Sequence, residues 1–336
     1  MKIDIILNEF SSPDEYTELG KLAESYGARA IWSSSYVSER DPFMSLVPLV
    51  MDSSKILLGP LAISPFELHP LKMANALFTL NEMSGGRTTI VVGGGGGLLR
   101  GMKMPYERRV TAVRECVEIL KEAHPDKLMT YEGELYNIFR YKPAYATSKP
   151  PLIYVGASGP QMMRMATRLA DGLMMSDVPI ARMGEIMKWI KSGLKENGRS
   201  LDNFGINNFW AWHVKKDKEE SRREARRELV WRGMLEMWWL EPFMDPDECK
   251  LVRDNFEAFR TAFYRKSHII EGVPDEIVDT LVDNLSFAGG YDDLDEIIDK
   301  LKQFEAAGLT EIALRVHEDQ ADAIKLIGER VIPAVS

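Results

Sequence analysis

Two clusters of small residues stand out in this 336-residue sequence as places where backbone alone can do chemistry. Gly93 to Gly97 is a run of five consecutive glycines, and Gly156-Ala157-Ser158-Gly159-Pro160 is a second small-residue turn. A glycine run can be a flexible linker, but this one follows the apolar strand pattern Thr88 to Val92. In that context glycine lets the backbone approach a ligand closely, and successive N–H groups form a concavity for an anion. Pro160 suits the first position of a helix. The turn before it therefore aims unpaired N–H groups and the positive helix end outward, typically at a phosphate, with Ser158 as side-chain donor. An ordinary tight strand-to-helix turn is the alternative. Gly93 to Gly97 is not a P-loop, because no Lys-Ser/Thr pair follows. It is also a poor dinucleotide fingerprint: the first strand lacks it, and no acidic residue caps a next strand about 20 residues later.

Acid–base candidates are few. Glu9 follows the first strand segment and points beyond the strand end, as a site carboxylate or as a solvated loop residue. His213 closes the aromatic segment Asn208-Phe209-Trp210-Ala211-Trp212-His213, where it either meets substrate or packs. His69 precedes Pro70 at a helix start and reads as structural. His124, His268 and His317 show no metal-ligand spacing, and Cys116 and Cys249 are too few for a cysteine zinc site or a disulfide framework. No metal is expected, and a reducing compartment is the simple reading.

The elements that must position these residues alternate. Short apolar strand patterns fall near residues 3–7, 29–32, 56–62, 88–93, 152–155, 172–176, 206–214 and 311–316. Helical patterns separate nearly all of them, from Pro13 to the stop at Gly27, and over Leu71 to Met83, Pro105 to Ala123, Pro160 to Ala170 and Ile180 to Asn197. Eight such units imply a parallel sheet, either closed into a barrel or opened into a doubly wound layer. A barrel takes roughly 250 residues, which leaves room for insertions at about 124–150, where Tyr131-Glu132-Gly133-Glu134-Leu135-Tyr136 suggests a hairpin, and at about 222–290. The second is rich in Trp and Met (Trp231, Met234, Met237, Trp238, Trp239, Met244) and reads as core, subunit contact or substrate pocket. In a barrel both small-residue turns open on the carboxyl-end face, where barrel active sites lie.

Composition narrows the partners. At 45% hydrophobic and 28% charged the chain can build a large core. Its 51 acidic against 42 basic residues give a net charge of −9, which argues against nucleic acid and anionic membranes as partners. Asp4 sits where a signal peptide would need an apolar stretch, and no apolar run approaches the ~18 residues of a membrane span. A soluble cytoplasmic protein is expected.

Longer stretches are recognisable. Leu58-Gly59-Pro60 to His69-Pro70, Ala76 to Arg87 (Ala-Leu-Phe-Thr-Leu-Asn-Glu-Met-Ser-Gly-Gly-Arg), Pro105 to Arg109, Pro150 to Pro160 and Ala170-Asp171-Gly172 together resemble the bacterial luciferase-like superfamily of flavin and deazaflavin enzymes. The wording is most similar to its methylenetetrahydromethanopterin reductase-like branch, which uses coenzyme F420. The resemblance implies one α/β domain over 1–336, a (β/α)8 TIM barrel with a helical insertion late in the chain. It implies a deazaflavin ring above the strand ends against a non-prolyl cis peptide, here Leu61-Ala62. Gly93, Gly94, Gly95, Gly96 and Gly97 would hold the cofactor with Gly156, Ala157, Ser158, Gly159 and Pro160. A C2 homodimer and a small-molecule substrate are implied as well.

The sequence also departs from that pattern. Alcohol and sugar dehydrogenases of the superfamily end their second strand in an Asp-His pair; the corresponding residues here are Ser34 and Ser35, and neither is a general base near neutral pH without a partner. The acidic residue those enzymes carry after the glycine run is replaced by Gly96 or Gly97. The expected site is therefore Glu9, Ser35 and His213 as reacting groups, with Ser34, Leu61 and Ala62 beside the cofactor. Hydride transfer with F420 is the expected function. FMN-dependent monooxygenation, a cofactor-binding protein with little catalysis, and an unrelated doubly wound protein such as a methyltransferase are the alternatives.

Overall fold

The computed structural model describes residues 1–104 and 107–335. Its eight main strands are β1 (Lys2–Ile6), β2 (Ala30–Ser34), β3 (Leu57–Leu61), β4 (Thr89–Val92), β5 (Leu152–Gly156), β6 (Gly172–Ser176), β7 (Gly205–Trp212) and β8 (Glu311–Val316). They pair in parallel in the order β3-β2-β1-β8-β7-β6-β5-β4. Two parallel bridges, Leu58 to Thr88 and Ile63 to Val92, join β3 to β4 and close the barrel. The expected (β/α)8 barrel is therefore present, and the open doubly wound sheet is excluded.

Strands buried on both faces read as continuous apolar runs, and period-two alternation divides them. Ile6, Ala30, Trp32, Leu61, Val91, Tyr154, Met174 and Ala313 form one cluster that fills the inside of the barrel. A polar plug lies beneath it at the amino-end face. There Asp4 accepts from Arg29 Nε at 2.7 Å, Trp32 Nε1 at 2.9 Å and Asn207 Nδ2 at 2.8 Å, while Tyr154 donates to Glu311 at 2.9 Å.

The surrounding helices begin where side chains satisfy their first N–H groups. Ser12 and Glu15 form a reciprocal cap before Pro13–Ser25. Asp41 accepts from Met44 N–H at 2.9 Å and starts Pro42–Asp52, a helix the sequence pattern did not reveal. Its Phe-Met-Ser-Leu-Val-Pro-Leu-Val-Met stretch has no polar period, and Pro48 lies inside it. The helix expected from Pro105 runs over Arg109–Glu122, and Pro105 and Tyr106 lie outside the described residues. Gly96 and Gly97, expected as loop, open the short helix Gly96–Gly101.

The hairpin is present, with Met129–Glu132 antiparallel to Asn137–Tyr141. After β7 the chain leaves the barrel at Lys218 and builds a small helical core from Leu229, Leu235, Leu240, Phe259, Leu281 and neighbours. It returns through Ser286–Phe287, which pairs with Ala211 and Trp212 at the far end of β7.

Candidate active site

The inward alternation of each strand runs on to its carboxyl end, and this fixes what lines the mouth of the barrel. Ala30 and Trp32 face inward, so Ser34 does; Tyr154 faces inward, so Gly156 does. The same count from Val91 brings Gly93 to the mouth, and from Ala313 it brings Arg315. Ser34 pairs in register with Leu61. A Cβ on Gly93 would stand 2.9 Å from the Ala62 Cβ, and a Cβ on Gly156 would stand 3.6 Å from the Gly93 Cα. Ser34, Leu61, Ala62, Gly93 and Gly156 are thus brought together. The β4–β5 half of the mouth is a floor without side chains, and the Leu61-Ala62 peptide at its edge is cis. The Ser34 hydroxyl is buried there without a hydrogen-bond partner.

Beyond this floor lies a helix start. Ala157 spends its N–H on Met174 O at 3.0 Å, which removes it from the expected set of anion donors. Ser158, Gly159, Gln161 and Met162 keep N–H groups without a partner among the described residues, as the first turn of the helix Pro160–Leu169 requires. A side chain at Gly96, Gly97 or Gly159 would meet nothing within 4 Å, so both glycine segments open outward. Gly95, at φ +86°, instead closes against Leu99 and Ser64. A flat ring fits the floor without displacing a side chain, and a phosphate fits the helix start.

The opposite half of the mouth is charged. Arg315, buried in β8, pairs with Glu9 and donates to Leu7 O at 2.6 Å. Glu9 is therefore an ion-pair partner here and not a free carboxylate. Asp177, just past β6, accepts from Arg232 at 2.9 Å and from the Gly233 N–H at 3.1 Å, tying the late insertion to the barrel rim. His213 lies beyond β7 with Nδ1 2.8 Å from Glu224, which also meets Lys215 at 2.8 Å. Burial pushes the His213 imidazole below its ordinary range, against the pull of Glu224, and lowers His317 further. Ser35 donates to Glu67 at 3.3 Å. Burial raises that carboxyl to about 7, and its second oxygen is buried without a partner.

Arg315, Asp177, Arg232 and Glu67 escaped the reading of the sequence. A charged residue inside the apolar strand Ile312 to Val316 was the available signal for Arg315. Glu67 lies six residues past the end of β3, and nothing local marks it.

Two cavities lie elsewhere. One of about 640 Å³ opens at the amino-end face beside Lys2, Arg29 and Thr310, and one of about 500 Å³ lies outside the rim among Lys215, Tyr291 and Asp319. The glycine floor and the unpaired helix start both face the carboxyl end, so chemistry and not cavity size places the site there. Among the described residues no three His, Cys, Asp or Glu side chains converge as a metal site.

The family model described as luciferase-like monooxygenase matches residues 4–311. The chain is 28% identical to a 5,10-methylenetetrahydromethanopterin reductase of Archaeoglobus fulgidus, over 97% of this chain and 98% of that relative. It is 24% identical to an F420-dependent glucose-6-phosphate dehydrogenase of Nakamurella multipartita, over 96% and 92%. The solved structure of a coenzyme F420-dependent tetrahydromethanopterin reductase from Methanopyrus kandleri shares the fold, with a TM-score of 0.81, 24% identity and 100% of both chains covered.

Proposed function

The chain belongs to the luciferase-like monooxygenase family, and from that premise we propose that it is an oxidoreductase moving a hydride between coenzyme F420 and a small organic substrate. The observation that carries this reading is the side-chain-free floor of Gly93 and Gly156 beside Ala62, which leads to a helix start with unpaired N–H groups. A relative and a solved structure that are both named for F420, and that match nearly the whole chain, support the choice of deazaflavin. Bound F420 supplies the hydride chemistry, and the protein supplies binding, orientation and exclusion of water. Ser34, Leu61 and Ala62 back the ring. Gly93 to Gly97 flank it, and Ser158, Gly159 and the first turn after Pro160 hold the phosphate. Arg232 and Arg315 leave the substrate a charged wall.

Anaerobic titration with F420 and with FMN, followed by absorbance, tests this. F420 is expected to bind and FMN not; the reverse result moves the protein to flavin monooxygenation. Tight F420 binding with no substrate reduced across a broad screen makes it a cofactor-binding protein.

The same reading includes a cytoplasmic C2 homodimer. Met44 and Met51, seven residues apart on Pro42–Asp52, are 67% and 66% exposed, an apolar face suited to a second copy. Light scattering should return twice the chain mass at micromolar concentration. Among the described residues no helix is long and apolar enough to cross a membrane.

A further inference from the structure

Most carboxylates at the mouth already have partners. Glu9 is held by Arg315, Asp177 by Arg232 and the Gly233 N–H, and Glu224 by His213 and Lys215. Glu228 stands in the field of Arg232, Arg315 and Arg227. Glu67, in the loop after β3, differs from all of them. One of its oxygens accepts from a neutral hydroxyl, Ser35 Oγ, at 3.3 Å, no cation among the described residues pairs with it, and its other oxygen is buried without a side-chain partner. The loop that carries it lies against the glycine run: Ala62 meets Gly93, and a Cβ on Gly95 would stand 2.8 Å from Ser64 Oγ. Ser35 is anchored on the same loop by its N–H, which donates to Leu61 O at 2.7 Å.

We propose that Glu67, positioned by Ser35, gives and takes the proton that accompanies hydride transfer, so that the acid–base group sits after β3 and not at the end of β2. The inference rests on the oxidoreductase reading above. In the reducing direction the hydride, with its two electrons, comes from the bound reduced deazaflavin and forms a C–H bond at an electrophilic substrate carbon. The carbon–heteroatom bond it displaces breaks toward the heteroatom, which keeps the pair and takes the Glu67 proton. The carboxylate is then reprotonated from solvent; the oxidising direction reverses each step.

The surroundings suit the task. Burial raises the carboxyl to about 7, the Ser64 backbone and the Ser35 hydroxyl restrain the rise, and the negative charge of Asp41, the cap of the helix Pro42–Asp52, adds to it. A general acid works best with its midpoint near the working pH, where it is both protonated often enough and acidic enough.

The first measurement needs no cofactor: carbon-13 NMR of carboxyl-labelled glutamate in the free protein, titrated from pH 4 to 9. Glu67 is expected to titrate near 7, and Ser35→Ala to raise that midpoint, because the lost hydrogen bond favours the charged form. In turnover, kcat for reduction should fall above the same midpoint and follow it in Ser35→Ala. Glu67→Gln should lose about a hundredfold or more in kcat with F420 binding unchanged, and Glu67→Asp should recover part of it. A purely structural Glu67 would not move the pH profile. Should wild type fail to bind F420, the oxidoreductase reading falls and this inference with it. Should F420 bind and turn over while Glu67→Gln stays within a few fold of wild type, or kcat ignore the NMR midpoint, only this inference is overturned.

Discussion

His213 and His317 stack with ring centroids 4.3 Å apart and planes 15° from parallel, two imidazoles sealed against each other beneath the late insertion. Burial lowers both, and for His317 the neighbouring His213, Arg315 and Arg232 lower it further. The folded pair therefore stays neutral at a pH where free imidazoles, at about 6.5, take up protons. The unfolded state binds more protons below that value, so stability present above pH 6.5 is lost as pH falls toward the depressed folded values, by up to about 1.4 kcal/mol per unit for each histidine. Urea midpoints measured from pH 7.5 to 5 should show this decline, and His317→Asn should flatten it.

Glu9→Gln tests a different dependence. Arg315 is 4% exposed, and its guanidinium depends on Glu9 for its counter-charge. Removing one partner of a buried pair leaves the other charge uncompensated, at a cost of about 3–5 kcal/mol in full burial. Glu9 keeps partial solvent contact, so about 2–3 kcal/mol is expected by chemical denaturation, with the F420 titration preserved. A large loss of turnover without a loss of stability would return Glu9 to the role of reacting group.

Regular features were legible because they are local. Alternating apolar runs and caps such as Ser12-Pro13 marked the strands and most helices, whereas Pro42–Asp52 hid behind an apolar stretch with no polar period and an internal proline. Much of the recognisable wording turns out to build the amino-end face. Asn81 binds Thr88 and Lys149 O, Arg87 donates to the backbone of Ser84, Ser53 and Ile56, and Asp171 accepts from Ile153 N–H. A Cβ on Gly172 would strike the Tyr154 ring at 2.4 Å. These are stability features of a barrel, and they reveal the fold more than the reaction. The glycine floor could be anticipated because glycine itself is the signal. The pairings Glu9–Arg315, Asp177–Arg232 and Ser35–Glu67 could not, since each joins segments that only barrel closure brings together.

Asp177 gives a prediction about the late insertion. It is 1% exposed, adopts φ +53°, and holds both Arg232 and the Gly233 N–H, while Trp239 Nε1 donates to Ser176 O at 3.0 Å. The turn it grips, Gly233 to Leu235, runs through three left-handed residues. That conformation is costly for Met234 and Leu235 and persists only while neighbours enforce it. Asp177→Ala should release the turn: amide exchange across residues 229–240 should rise at least tenfold while β1 to β8 stay protected. Uniform protection in the variant would show that the insertion's own core, not this contact, holds it down.

Gly159→Asp addresses the cofactor site directly. Gly159 caps the helix Pro160–Leu169 at φ −117°, a value open to any residue, and a side chain there meets nothing within 4 Å. The fold should accept the change, with circular dichroism and unfolding midpoint close to wild type. The new carboxylate stands where unpaired N–H groups would hold the cofactor phosphate. Like-charge repulsion at about 4 Å in a partly desolvated site amounts to several kcal/mol, so F420 affinity should fall about a hundredfold or more. Gly159→Ala provides the control: it adds a methyl group to the same open space without charge and should bind F420 within a few fold of wild type. Equal affinity in both variants would place the phosphate somewhere other than this helix start.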